Sequence, residues 1–190
     1  MILFRNFIGV LLIFFMFLGG LFEKPEINRD INLYNDYIGE NAKEEYKVKW
    51  GMDEKIFPEK ITDNMYVEDY KMIYYNPWDA QYLSYLVVDY KKEDYKNEVD
   101  RLKEYNSTDY IGYYNVTGFT KYELLAMYAN PYYGFVYAIT DGKEKIIYVE
   151  LIFCNYFYDL EYEKYINTDF LPDGFDATID NSYEKRMSEN

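Results

Sequence analysis

The chain has 190 residues, no histidine, one cysteine and a formal net charge of −14 from 34 acidic and 20 basic side chains. Without histidine, Ser-His-Asp and Cys-His nucleophile systems are excluded, and one cysteine cannot complete a Cys/His zinc site, an iron–sulfur donor set or an internal disulfide. The acidic balance and the lack of any basic block oppose nucleic acid and anionic headgroups as partners, since both are held by Lys and Arg.

The first element is the uncharged run Phe7 to Phe22, FIGVLLIFFMFLGGLF. As a helix it spans roughly 24 Å, and roughly 33 Å counted from Met1, against a hydrocarbon core about 30 Å thick. It crosses a bilayer if Met1 to Phe4 fill the remainder while Arg5 snorkels toward the headgroups. Neither Leu18 before a cut at Gly20 nor Phe17 before a cut at Gly19 suits signal peptidase. Residues 1–22 are therefore expected to be an uncleaved anchor whose partner is the lipid bilayer. A cleaved export signal and a buried core helix are the alternatives. Arg5 and the amino terminus nearly balance Lys24 and Arg29, and the short N-terminal flank favours an extracytoplasmic domain.

Residues 23–68 are expected to be a linker and an irregular wrapping segment. Glu23 to Asp30 is polar and holds Pro25, Ile31 to Lys47 has a weak helical pattern, and Lys49 to Val67 holds Trp50, Phe57 and Pro58 without clear period. An ordered domain is expected over 69–190. Tyr70 to Tyr75 and Tyr82 to Tyr90 flank Asn76-Pro77-Trp78-Asp79 and read as a hairpin, the second strand being apolar on both faces and hence central. Lys91 to Tyr105 shifts to helical spacing through Tyr95, Val99 and Leu102, with Glu98 and Arg101 expected on a solvated face.

Asp109 to Thr117 has strand composition, and Thr120 to Ala129 is expected to be a short helix ending at Asn130-Pro131. Tyr133 to Thr140 and Lys145 to Phe157 bracket Asp141-Gly142, a tight hairpin signal because Asp-Gly accepts the positive φ angles that the turn requires. Asp159 to Tyr165 suggests one or two helical turns packing Leu160, and the stretch from Asn167 to Asn190, with Pro172 and Gly174, is expected to fray toward its end. Together these elements predict an α+β fold: an N-terminal hydrophobic helix followed by a mostly antiparallel sheet with one or two packed helices.

Few residues offer chemistry. There is no G-x-G-x-x-G, Walker A, S-x-x-K or G-x-S-x-G pattern, so no cofactor and no catalytic residue is assigned. Glycoside hydrolysis needs only two carboxylates, and Glu150 within IIYVELIF is the most suggestive acid. Alternation puts Tyr148 and Ile152 on its face. A sheet-surface position is the default for Glu150, and a polar pocket the alternative. Trp78, in the loop after Pro77, and the Tyr132-Tyr133 doublet are candidate ligand-binding residues, since exposed aromatics anchor glycans and protein partners. Cys154 reads as a small buried hydrophobe. Asp169, Asp173, Asp176 and Asp180 fail the EF-hand register, and no metal is assigned.

YNPWDAQYLSYLVVDY, ANPYYGFVYAI, YVELIFCNYF and LPDGFDA, between Pro77 and Ala177, resemble small membrane-anchored or exported proteins of low-GC Gram-positive gut bacteria. These pair a hydrophobic N-terminal segment with a tyrosine-rich domain. The resemblance implies a cell-envelope setting and carries over no catalytic residue. The resulting expectation is a non-enzymatic envelope domain that binds a protein or glycan partner. A carboxylate-dependent glycan hydrolase and a small accessory subunit of a membrane complex are the alternatives.

Overall fold

The computed structural model describes residues 24–188 other than 155, 158 and 159. The hydrophobic segment expected over 1–22 lies outside the described residues. Among those described, no helix is long and apolar enough to cross a membrane.

Six antiparallel strands form one sheet in the order β1-β2-β3-β6-β5-β4. They are β1 (Glu26–Asn28), β2 (Met65–Tyr75), β3 (Gln81–Tyr90), β4 (Glu123–Asn130), β5 (Gly134–Thr140) and β6 (Lys145–Ile152). β2 and β3 make the hairpin expected around Pro77, after which the chain crosses to the far edge and returns as the meander β4-β5-β6 beside β3. Two short helices, α1 (Tyr34–Tyr37) and α2 (Glu44–Lys47), precede the long α3 (Lys92–Lys103), and α4 (Ser182–Ser188) closes the chain. The mostly antiparallel α+β expectation holds.

Both faces of the sheet are covered, which is why β5 and β6 are nearly continuous apolar runs instead of alternating ones. One face, through Tyr70, Leu86, Val136, Ala138 and Tyr148, packs against residues 31–61 and α3. The opposite face, through Leu83, Tyr85, Met127, Phe135 and Val149, packs against 110–119 and 157–183. Tyrosine fastens the cover to the sheet and to itself: Tyr82 of β3 donates to the Glu45 carbonyl at 3.1 Å, Tyr137 of β5 to that of Phe170 at 2.8 Å, and Tyr34 of α1 to that of Pro58 at 2.6 Å. Each ring is buried, and each hydroxyl satisfies a carbonyl of a segment with little ladder of its own.

Four sequence expectations change. The linker over 23–30 contains β1, which pairs Ile27 with Ile73 and adds a strand to the sheet edge. The helix expected over 120–129 is β4: the spacing of Tyr122, Leu125 and Met127 fits either period, and pairing with β5 decides it. The strand expected over 109–117 is an irregular crossing, because Gly112, Tyr114 and Asn115 take positive φ angles of 89°, 47° and 65° that no extended strand allows. The strand expected to run to Phe157 ends at Ile152.

Gly134 opens β5 at φ 101°, and a Cβ built there meets the Leu151 carbonyl oxygen at 2.0 Å. Clash and strain combine at this position. Gly134→Ala is expected to cost about 2–5 kcal/mol, read as a lower midpoint in urea at unchanged m-value; a loss under about 1 kcal/mol would show that the turn tolerates a side chain.

Candidate functional site

Glu150 lies in mid-β6, opposite Ser84 of β3 and Val136 of β5. It is 0% exposed. The sheet-surface position expected from alternation is thus corrected, because the face it occupies is roofed by residues 31–61. Small neighbours on both sides leave room for a partner, and Lys49 fills it. Lys49 Nζ donates to Glu150 Oε2 at 2.9 Å, to the Tyr37 carbonyl at 3.0 Å and to Glu54. Ser84 Oγ donates to Glu150 Oε1 at 3.1 Å, so both carboxylate oxygens are engaged. The ammonium also sits 5.6 Å from the centre of the Tyr82 ring.

One buried cation therefore serves two carboxylates. Burial alone would lower the Lys49 pKa, but Glu150 and Glu54 outweigh it and hold the amine charged. Glu54 is pushed up to about 7, first by burial and then by the Glu150 charge, with Lys49 opposing both. Its side chain remains 17% exposed.

That exposure opens on a groove of about 810 Å³, bordered by Ile38, Phe57, Met65, Glu98 and Arg101 as well as Glu54. Glu98 and Arg101, expected on a solvated helix face, help to form its wall. Arg101 grips Glu98 at 2.6 and 2.8 Å and donates to the carbonyls of Lys55 and Ile56, while the Tyr148 hydroxyl donates to Glu98 at 2.6 Å. α3 is thereby tied both to the wrapping segment and to β6.

Lys49 occupies an unusual turn. Lys49, Trp50 and Gly51 have successive φ angles of 31°, 51° and 75°. Left-handed backbone costs a residue with a Cβ roughly 1–2 kcal/mol, and the side-chain contacts hold it. Trp50 points to the end of the sheet, where its Nε1 donates to the Ala80 carbonyl at 2.8 Å and its ring lies parallel to that of Tyr133, 8° apart in plane with centroids 5.9 Å apart.

The same end of the sheet gathers the other sequence candidates. Tyr82 of β3 and Gly134 of β5 both pair with Ile152, so the β2–β3 turn carrying Trp78 and the β4–β5 turn carrying Tyr132 and Tyr133 lie on one edge. Trp78 is 47% exposed and Tyr132 51%. Tyr133 is half-buried, held by the Trp50 stack and by its backbone N–H to Asn130 Oδ1 at 3.2 Å. Cys154 is partly exposed nearby, its thiol pushed up by burial and by the Asp79 charge. Glu150 does not join this edge. Lys49 and Glu54 were not singled out in the sequence; Lys49 has no local pattern to betray it, since its partner is 101 positions away.

No protein-family model matches the chain, and neither a search of curated proteins nor one of solved structures finds a match.

Two stability tests follow from the triad. Lys49→Met strips the sealed Glu150 of its cation and is expected to cost about 3–5 kcal/mol, while Lys49→Met with Glu150→Gln recovers most of that loss in urea titrations. The folded-state pKa of Glu54 lies above its ordinary 4.5, so its stabilising contribution is full below pH 4.5 and falls as pH rises through about 7. Glu54→Gln is accordingly expected to match the wild type near pH 4.5 and to exceed it at pH 8 by something on the order of 2–3 kcal/mol. A variant less stable than wild type at pH 8 would contradict the sign.

Proposed function

We propose that this chain is a non-enzymatic binding domain of the cell envelope, tethered through residues 7–22, that takes a neutral glycan on the aromatic end of its sheet. The observation that carries this reading is the pair of exposed rings, Trp78 and Tyr132, on two neighbouring turns braced from below by Trp50. Flat rings on a rigid base give contact area at little entropic cost, which is how aromatic residues come to dominate binding sites. The charge of −14 supports a ligand without phosphate or carboxylate groups.

A second reading, a carboxylate-dependent hydrolase, draws support from Glu54, whose carboxyl burial pushes up to about 7 on the wall of a groove. What weighs against it is Glu150: a second catalytic carboxylate has to reach substrate, and this one is sealed with both oxygens engaged.

The test is cosedimentation of the full chain, in detergent micelles, with insoluble cell-wall polysaccharide stripped of protein and anionic polymer. The wild type is expected to sediment, and Trp78→Ala with Tyr132→Ala to lose at least about tenfold in affinity. Tyr66→Ala is the control, since Tyr66 is exposed at the start of β2, the opposite end of the sheet. No sedimentation by the wild type, or equal binding by the double variant, overturns the reading.

A further inference from the structure

Adjacent residues of one strained turn serve two distant places. Lys49 reaches inward to Glu54 and Glu150, and Trp50 reaches along the sheet to Ala80 and Tyr133. Both residues hold left-handed backbone at a cost; the Gly51 N–H to the Val48 carbonyl at 3.0 Å and the Met52 N–H to the Lys49 carbonyl at 2.9 Å close the turn, and the two sets of side-chain contacts load it from either side. A change in the pull on Lys49 is felt by Trp50 across a single peptide bond.

The pull on Lys49 has two settings. With both carboxylates ionised, one ammonium faces two negative charges and the buried cluster carries a net charge of −1. With a proton on Glu54 the cluster is neutral, and Lys49 pairs with Glu150 alone while keeping the Tyr37 carbonyl. The other titratable groups facing Glu54 are Tyr34 of α1 and Tyr82 of β3, and around the groove Glu40 and Lys47, Asp53 and Lys55, Glu59 and Lys60 of the wrapping segment and Glu98 and Arg101 of α3. Burial holds Tyr34 and Tyr82 protonated well beyond neutral pH, and Glu98 raises the Arg101 pKa further. Burial, followed by the Glu150 charge, pushes Glu54 up to about 7 against the pull of Lys49, and Glu54 is the carboxylate of the cluster that meets the groove.

We propose that the Lys49–Gly51 turn is a proton-linked strut, in which the proton on Glu54 sets how firmly Trp50 braces the aromatic end and so regulates ligand binding there. The regulated site rests on the glycan-binding reading above, while the strut itself does not. Below neutrality the neutral cluster stays dry, the turn is held and the Trp78 and Tyr132 platform is firm. Above it the excess buried charge draws water in from the groove beside Glu54, the turn relaxes and Trp50 loosens from Ala80 and Tyr133.

The two tryptophans give two indole N–H signals in a ¹⁵N-tryptophan-labelled full chain in detergent micelles. That of Trp50 is assigned by its loss in Trp50→Phe. Its shift, followed from pH 5 to 9 without ligand, is expected to trace one titration with a midpoint near 7. That titration vanishes in Glu54→Gln and persists in Asp53→Asn. If Glu54→Gln does not fold, Glu54→Asp is expected to move the midpoint by at least half a unit. A flat trace in the wild type, or one unchanged by these Glu54 variants, overturns the strut. In the cosedimentation assay the wild type is expected to bind at least about threefold more tightly at pH 6 than at pH 8, and Glu54→Gln to bind equally at both. A pH-independent wild type would overturn the regulation. Failure of glycan binding with an intact indole titration would refute the functional reading and leave the strut standing.

Discussion

The interaction on which the rest of this structure depends is the ion pair between Lys49 and Glu150. It joins the centre of the sheet to a segment with almost no regular structure of its own, and it does so where the sheet face would otherwise bury a bare carboxylate. Isolated ionised carboxylates in an apolar interior cost more than a domain of this size can absorb. The fold therefore needs residue 49 at that spot, and the need fixes the path of everything around it. Tyr37 gives its carbonyl to the same ammonium, Glu54 closes the cluster toward the groove, and Ser84 completes the coordination of Glu150. The pair adds little net stability over a hydrophobic equivalent, but removing one partner alone strands the other in the interior.

Tyrosine performs the corresponding task elsewhere. A sheet covered by short helices and irregular chain leaves many backbone carbonyls without ladder partners, and leucine or phenylalanine in the core would leave them unsatisfied. Tyr34, Tyr82 and Tyr137 each bury a ring and direct a hydroxyl to such a carbonyl. Tyr37 and Tyr46 both donate to Glu26, binding the β1 edge to the segment that covers it. The abundance of tyrosine is thus largely a device for fastening irregular layers to a regular one. Tyr132 at the sheet end and Tyr66 at the start of β2, both exposed, are exceptions to a mainly structural use.

What the sequence made legible follows from range. The β2–β3 and β5–β6 hairpins and α3 could be read because their signals, Asn-Pro-Trp-Asp, Asp-Gly and a clear helical period, are local. β4 reads as a helix in sequence because Tyr122, Leu125 and Met127 suit both periods, and only the neighbouring β5 decides between them. β1 reads as linker because three polar-flanked residues carry no strand signal until β2 offers an edge to pair with. At the candidate site, Trp78, Tyr132 and Tyr133 were visible as loop aromatics, and their gathering on one edge follows from strand order. Glu150 was visible as an anomaly, but its burial was not, because the roof over it comes from a region without period. Lys49 was invisible for the same reason.

The absence of histidine gives this arrangement its particular character. A response to pH near neutrality usually falls to imidazole, whose ordinary pKa already lies there. A chain without it must move another group into that range, and the practical route is to place a carboxylate against a second carboxylate in a dry setting with too few cations to satisfy both. Glu54 and Glu150 around a single Lys49 meet that description, and the cation they share is the residue next to Trp50. The shortage of positive charge that disfavours nucleic acid and anionic lipid as partners recurs inside the core as a shortage of one ammonium. At that point it leaves a proton bound near neutral pH, one peptide bond from the support of the aromatic end.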